Sequence, residues 1–188
     1  MSSEAFKLTI HMVSSLDGFI AKNDNSISWL DTTDSYEKGV EVTNEVNDAF
    51  LKSIDCYIMG SGTYEHAVEL SKTNAWAYGD TPTIVISQRN LNVNRSNVQI
   101  YSGNLSKLIK EQLEHKYKNV WLVGGAKLVK EFMRLNLVDE IRISILPILL
   151  GDGIPFFENL RKEHLLHLKD VTAYKNGMVE LLYSIKNK

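Results

Sequence analysis

Apolar runs and amphipathic stretches alternate along most of the chain. Leu8 to Val13 is apolar with a few polar breaks and predicts a first strand. Ile54 to Met59, Thr83 to Ser87 and Val120 to Val123 are short apolar runs without alternation. That is the pattern of parallel strands covered on both faces. Val98 to Tyr101 predicts a shorter strand. Between these runs the period lengthens. Residues 36–53 place Val42, Val46, Ala49 and Phe50 on one helical face. Thr63 to Leu70 predicts a second helix. Asn104 can cap a third, running to about Tyr117, with Leu105, Leu108, Ile109 and Leu113 on its apolar face. A fourth follows Gly124-Gly125 at once and turns Leu128, Val129, Phe132 and Met133 inward. The last third changes character. Ile141, Ile143 and Ile145 alternate with Arg142 and Ser144, and residues 164–174 and 178–186 flank Asn176-Gly177, a hairpin signal. The expected architecture is α/β: a mostly parallel central sheet, helices on both faces, and a C-terminal antiparallel hairpin.

Composition narrows the function. No repeat, low-complexity stretch or Pro/Gly-rich linker divides the 188 residues, so residues 1–188 read as a single domain. Twenty-one basic and 23 acidic residues leave a formal charge of −2, which argues against a general nucleic-acid or membrane-surface binder. Cys56 is the sole cysteine and reads as a core thiol. It excludes an intramolecular disulfide and a cysteine-based metal cluster. No histidine pair has ligand spacing with a third donor, so no metal is expected. The N-terminus lacks a signal-peptide pattern, and no apolar run has the length of a membrane span. A cytoplasmic protein is expected.

Two strand-to-helix junctions can carry chemistry. Met59-Gly60-Ser61-Gly62-Thr63 and Val123-Gly124-Gly125-Ala126-Lys127 each run from a buried strand through glycine into a helix. Glycine permits close backbone approach, and a helix N-terminus offers unpaired N–H groups at its positive end. Either junction alone is equally well a plain tight turn. Both would open at the carboxyl edge of a parallel sheet, where ligands bind, and side by side they suit a dinucleotide. The G-x-G-x-x-G fingerprint is absent. A third strand end, Ile86-Ser87-Gln88-Arg89, offers a hydroxyl and a guanidinium suited to a phosphomonoester, or simply solvated loop residues.

In this order the segments resemble the dihydrofolate reductase-like superfamily, in the branch of the riboflavin-biosynthesis reductase domain. Ser15-Leu16-Asp17-Gly18-Phe19-Ile20-Ala21 is similar to that branch's SLDGxIA segment, and Gly60 to Glu65 to its GRxTYE. Val138-Asp139-Glu140-Ile141-Arg142 through Pro147 to Gly153 is close to its DELRLxIxPVLLGxG. The resemblance spans nearly the whole chain. It implies a one-domain, NADPH-dependent reductase of a small heterocycle, similar to 5-amino-6-(5-phosphoribosylamino)uracil reductase. It implies that Gly60, Ser61, Gly62 and Thr63, with Gly124, Gly125, Ala126 and Lys127, hold the cofactor phosphates. It also implies that the loop after Gly18, reaching Ala21, folds over the nicotinamide, and that the Gly124–Gly125 bond is cis. Ser87 and Arg89 fall where a 2′-phosphate would be read. Ser61 replaces the branch's arginine, and Gly62 its neighbouring cation, which leaves Arg89 and Lys127 to supply charge.

The substrate side is less defined. In classical dihydrofolate reductases an acid follows a tryptophan by five residues; Trp29 and Asp34 have that offset. Asp31 and Asp17 are competitors, and each can equally be a cap or loop residue. His66 follows the first phosphate turn. Tyr36, Glu37 and Lys38 stand where a pteridine grip would be apolar, which disfavours folate. The alternatives are a non-catalytic nucleotide-binding member of the same fold, motivated by Ser61 and Gly62, and a dihydrofolate reductase. Ile148-Leu149-Leu150 and Phe156-Phe157 make a homodimer plausible.

Overall fold

A computed structural model describes residues 5–31, 33–41 and 50–186. The chain forms β1 (Lys7–Ser15), β2 (Phe19–Ala21), β3 (Cys56–Gly60), α1 (Ser61–Leu70), β4 (Thr83–Ile86) and β5 (Val98–Tyr101). Then come α2 (Leu105–Lys107), β6 (Asn119–Gly124), α3 (Ala126–Arg134), β7 (Glu140–Leu146), β8 (Ile154–Pro155), β9 (Leu166–Ala173) and β10 (Val179–Ile185). Eight strands make one sheet in the order β5-β4-β3-β6-β1-β7-β10-β9, and β2 pairs with β8 apart from it. The strands from β5 to β7 are mutually parallel, and β10 is antiparallel to both β7 and β9.

Each face of the sheet carries its own apolar cluster. Leu8, Ile10, Ile58, Leu122, Val129 and Phe132 belong to one, under α3 and the segment after α2. Tyr57, Met59, Tyr64 and Val85 belong to the other, under α1. β3 is buried along almost its whole length, as its unbroken apolar run requires. β6 departs from that reading. Val120, Leu122 and Gly124 are buried, but Trp121 and Val123 are half-exposed, because their face borders a cleft.

Two helices differ from expectation. Residues 36–41 are not helical. Tyr36 N donates to Lys175 O at 2.7 Å, and Val40 N donates to Ala173 O at 2.8 Å. A Cβ on Gly39 would strike the backbone of Tyr174 and Lys175. Backbone pairing with the hairpin takes up the N–H groups of this segment in place of helical hydrogen bonds. Val42, Val46 and Ala49 lie outside the described residues, and residues 50–53 are helical. After Asn104, whose side chain caps Lys107 N at 3.0 Å, α2 widens into a π-helical turn over Leu108–Leu113 and stops short of Tyr117. The wider turn keeps Leu108, Ile109 and Leu113 buried together.

Candidate active site

β3 and β6 are neighbours, so α1 and α3 begin side by side at the carboxyl edge of the sheet. Gly60 is the N-cap of α1 and Gly125 the N-cap of α3, and neither helix receives a side-chain cap. Glycine has nothing to cap with, so the first-turn N–H groups stay open to a ligand. Both turns open into a cleft of about 1250 Å³. A Cβ on Gly62 would meet only open space, while one on Gly125 would lie 3.6 Å from Thr63 Oγ1, across the gap between the helix starts. The Gly124–Gly125 peptide is cis, as the resemblance implied.

Eight expected cofactor residues line this cleft: Ala21, Gly60, Ser61 and Gly62, and with them Thr63, Gly125, Ala126 and Lys127. Gly124 stands just behind the wall, with Met12 against it. β2 and β8 close one side through the Phe19–Pro155 and Ala21–Ile154 pairs. Gly153, at φ +155°, permits that closure, since a Cβ there would strike Ala21 O. His66 also lines the cleft.

Ser87 and Arg89 are not part of the lining, and both are engaged elsewhere. Ser87 Oγ accepts from Arg89 N at 2.9 Å, a local turn. Arg89 Nη2 donates to Glu65 Oε2 at 2.8 Å. The sequence places no acid near Arg89; α1 delivers one from 24 residues away.

None of the three expected catalytic residues lines the cleft. Asp17 binds its own loop and the segment after β7: it accepts from Ser15 Oγ at 2.6 Å, Gly151 N at 2.7 Å and Leu150 N at 3.1 Å. The Ser15 hydrogen bond, followed by those backbone donors, holds its carboxyl below the usual aspartate range. Trp29 is buried beside a separate recess of about 180 Å³, with Asp31, Thr33 and Pro147. Asp34 lies against Gly177 at the hairpin turn, so close that a Cβ there would strike its carboxylate. The hairpin's claim on residues 36–41 carries Asp34 to that turn.

Residues the sequence reading did not single out complete the wall: His11 and Trp121, on neighbouring strands. Their rings stack at 4.9 Å, and Phe50 meets His11 edge-on at 5.0 Å. Trp121 Nε1 donates to His11 O at 2.8 Å. Burial, with Arg142 adding its charge, pushes the His11 imidazole down to about 3. A polar side chain inside an apolar strand was the available signal. Cys56 is buried, and burial pushes its thiol up to about 12, which fits a core role. Among the described residues no three His, Cys, Asp or Glu side chains could share a metal ion, and no helix is long and apolar enough to cross a membrane.

The strand order, the paired glycine turns and the terminal hairpin define a dihydrofolate reductase-like fold. The RibD C-terminal domain family matches residues 6–180, and the chain belongs to that family. It is 34% identical over 177 residues to the uncharacterized protein YwjB of Bacillus subtilis (strain 168), across 94% of this chain and 97% of that one. A putative riboflavin biosynthesis protein from Shewanella sp. PV-4 superposes with a TM-score of 0.81 at 23% identity, over 97% of this chain and 100% of that one. The diaminohydroxyphosphoribosylaminopyrimidine deaminase/5-amino-6-(5-phosphoribosylamino)uracil reductase of Thermotoga maritima superposes with a TM-score of 0.65 at 13% identity, over 96% of this chain and 57% of that one.

Proposed function

We propose that this protein is an NADPH-dependent reductase of a small nitrogen heterocycle, of the kind reduced by the Thermotoga enzyme. The observation that carries the reading is the pair of uncapped, glycine-led helix starts opening into one cleft. The residues present fit the cofactor. First-turn N–H groups at Ser61, Gly62 and Thr63, and at Ala126 and Lys127, would hold its pyrophosphate. Among the described residues Lys127 is the one lysine or arginine lining the cleft, so the backbone carries most of that task.

When bound, NADPH supplies a hydride to the substrate. The protein's part is to place the acceptor, exclude water and deliver a proton. β2, held by β8, shields one side. For the proton, the titratable side chains of the lining are His11, His66, Lys127, Glu131 and Glu158. Glu131 is paired with Arg134 and Glu158 with Lys130. His11 stays neutral. Lys127 stands at the phosphate turn. His66, exposed on the α1 wall, is the residue that would supply a proton to the substrate.

The Arg89–Glu65 pair favours a second reading, a nucleotide-binding member without turnover, because it occupies the cation expected at a 2′-phosphate. One experiment separates them. NADPH binding is followed by quenching of tryptophan fluorescence, and NADPH oxidation across pyrimidine, pterin and imine acceptors. Binding with turnover of one acceptor is the expected result. Binding without turnover favours the second reading, and absence of binding rejects both.

A further inference from the structure

Behind the His11–Trp121 wall a polar chain crosses three neighbouring strands. In register, His11 of β1 stands beside Arg142 of β7, and Ser144 of β7 beside Glu180 of β10. Arg142 Nη1 donates to Glu180 Oε1 at 2.6 Å. Ser144 Oγ lies 3.2 Å from Glu180 Oε2, and His11 Nε2 lies 3.3 Å from Ser144 Oγ.

These contacts set the histidine's tautomer. A carboxylate only accepts, so the Ser144 proton goes to Glu180. A serine hydroxyl has one proton to give, so His11 Nε2 must donate to Ser144 Oγ. A neutral imidazole has one N–H, and Nδ1 is therefore a bare acceptor. That Nδ1 is buried and has no hydrogen-bond partner. The stack on Trp121 and the edge of Phe50 fix the ring plane. Buried acceptors are rarely left unmet, because losing water without a replacement is costly. This one belongs to a residue that lines the cleft. Arg142 answers the charge of Glu180, so the wall offers an acceptor without offering a net negative charge. A neutral N–H suits it better than an ammonium.

We propose that His11 is the specificity-determining residue of the cleft: its Nδ1 accepts a hydrogen bond from a neutral ring N–H or amino group of the molecule that is reduced. This rests on the reductase reading for the identity of the ligand, but not for the state of the histidine.

Two measurements test it. Nitrogen NMR of the imidazole in the native protein reads the tautomer directly. The expected result is a neutral ring with the proton on Nε2 from about pH 5 to about pH 8, and a shift of the Nδ1 resonance on adding 5,6-diaminouracil. A proton on Nδ1, a charged ring, or an Nδ1 resonance indifferent to a bound probe overturns the proposal. His11→Phe keeps a flat ring against Trp121 and removes the acceptor. It should weaken 5,6-diaminouracil by about tenfold, the loss of one good hydrogen bond, while NADPH affinity stays within about twofold. Equal probe affinity in the two proteins, or no probe binding by native protein that binds NADPH, also overturns it. If NADPH is neither bound nor oxidised, the reductase reading fails, and the tautomer and the Nδ1 response still judge this proposal separately.

Discussion

Asp17 and Gly153 show how single residues support the cleft without lining up as chemistry. Asp17 ties the β1–β2 turn to Leu150 and Gly151, and Gly153 lets β8 reach Ala21. The Asp17 carboxyl is held below its ordinary value of 3.8, first by Ser15. A lowered native value means that the ionised form stabilises the fold. The contribution is complete above that ordinary value and is lost as pH falls through the lowered one. Asp17→Asn is therefore expected to lower the urea midpoint at neutral pH, and the gap to the native protein should close in acid. Urea titrations at neutral pH and below the ordinary aspartate range check this; a gap independent of pH would show that the charge plays no part.

At the scale of elements, two junctions dominate. The space between the α1 and α3 starts is held open by Gly125, with Thr63 Oγ1 opposite. Gly125→Val would push methyl groups into that space. It is expected to abolish NADPH binding, read by fluorescence quenching, with a smaller effect on thermal stability; binding that survives would place the phosphates elsewhere. The second junction is the ion pair between α1 and the end of β4. Glu65 and Arg89 are both well exposed, so the pair is screened and weak. If the 2′-phosphate of NADPH is read at this strand end, it has to displace this pair. Glu65→Gln is expected to raise the preference for NADPH over NADH by roughly two- to fivefold, and Arg89→Ala to move the ratio toward unity. Dissociation constants for both nucleotides decide it, and an unchanged ratio in both variants would mean that this strand end does not read the phosphate.

For the molecule as a whole, stability is shared between the two faces of one sheet. Phe132 is fully buried on the face opposite α1, among Leu8, Ile58 and Leu122. Phe132→Ala is expected to cost about 3–5 kcal/mol, the usual effect of removing a buried phenyl ring, measured by urea unfolding. A loss below about 1 kcal/mol would mean that the core collapses to refill the space. Because Phe132 is on the second turn of α3, the same variant tests whether that helix start is held from within the core.

Local pattern sufficed where the physics is local. Unbroken apolar runs marked β3 and β4 because a strand covered on both faces tolerates few polar side chains. Asn176-Gly177 marked the hairpin because a tight turn needs residues that accept positive φ, and Gly177 has φ +79°. Glycine at two strand-to-helix junctions marked the two helix starts that open on the cleft, because a cap residue with no side chain leaves the first-turn N–H groups unpaired. Tertiary structure decided what depends on distant partners. The hairpin's backbone groups drew residues 36–41 out of the expected helix and took Asp34 to Gly177. α1 supplied Glu65 to Arg89, an encounter that no scan of the residues around Arg89 contains. Burial and the Ser144–Glu180 relay made a neutral, tautomer-specific acceptor of His11, which in sequence is only a polar break in a strand. Protonation, pairing and exposure are properties of a residue's surroundings, and in this protein those surroundings come from strands far apart in the chain.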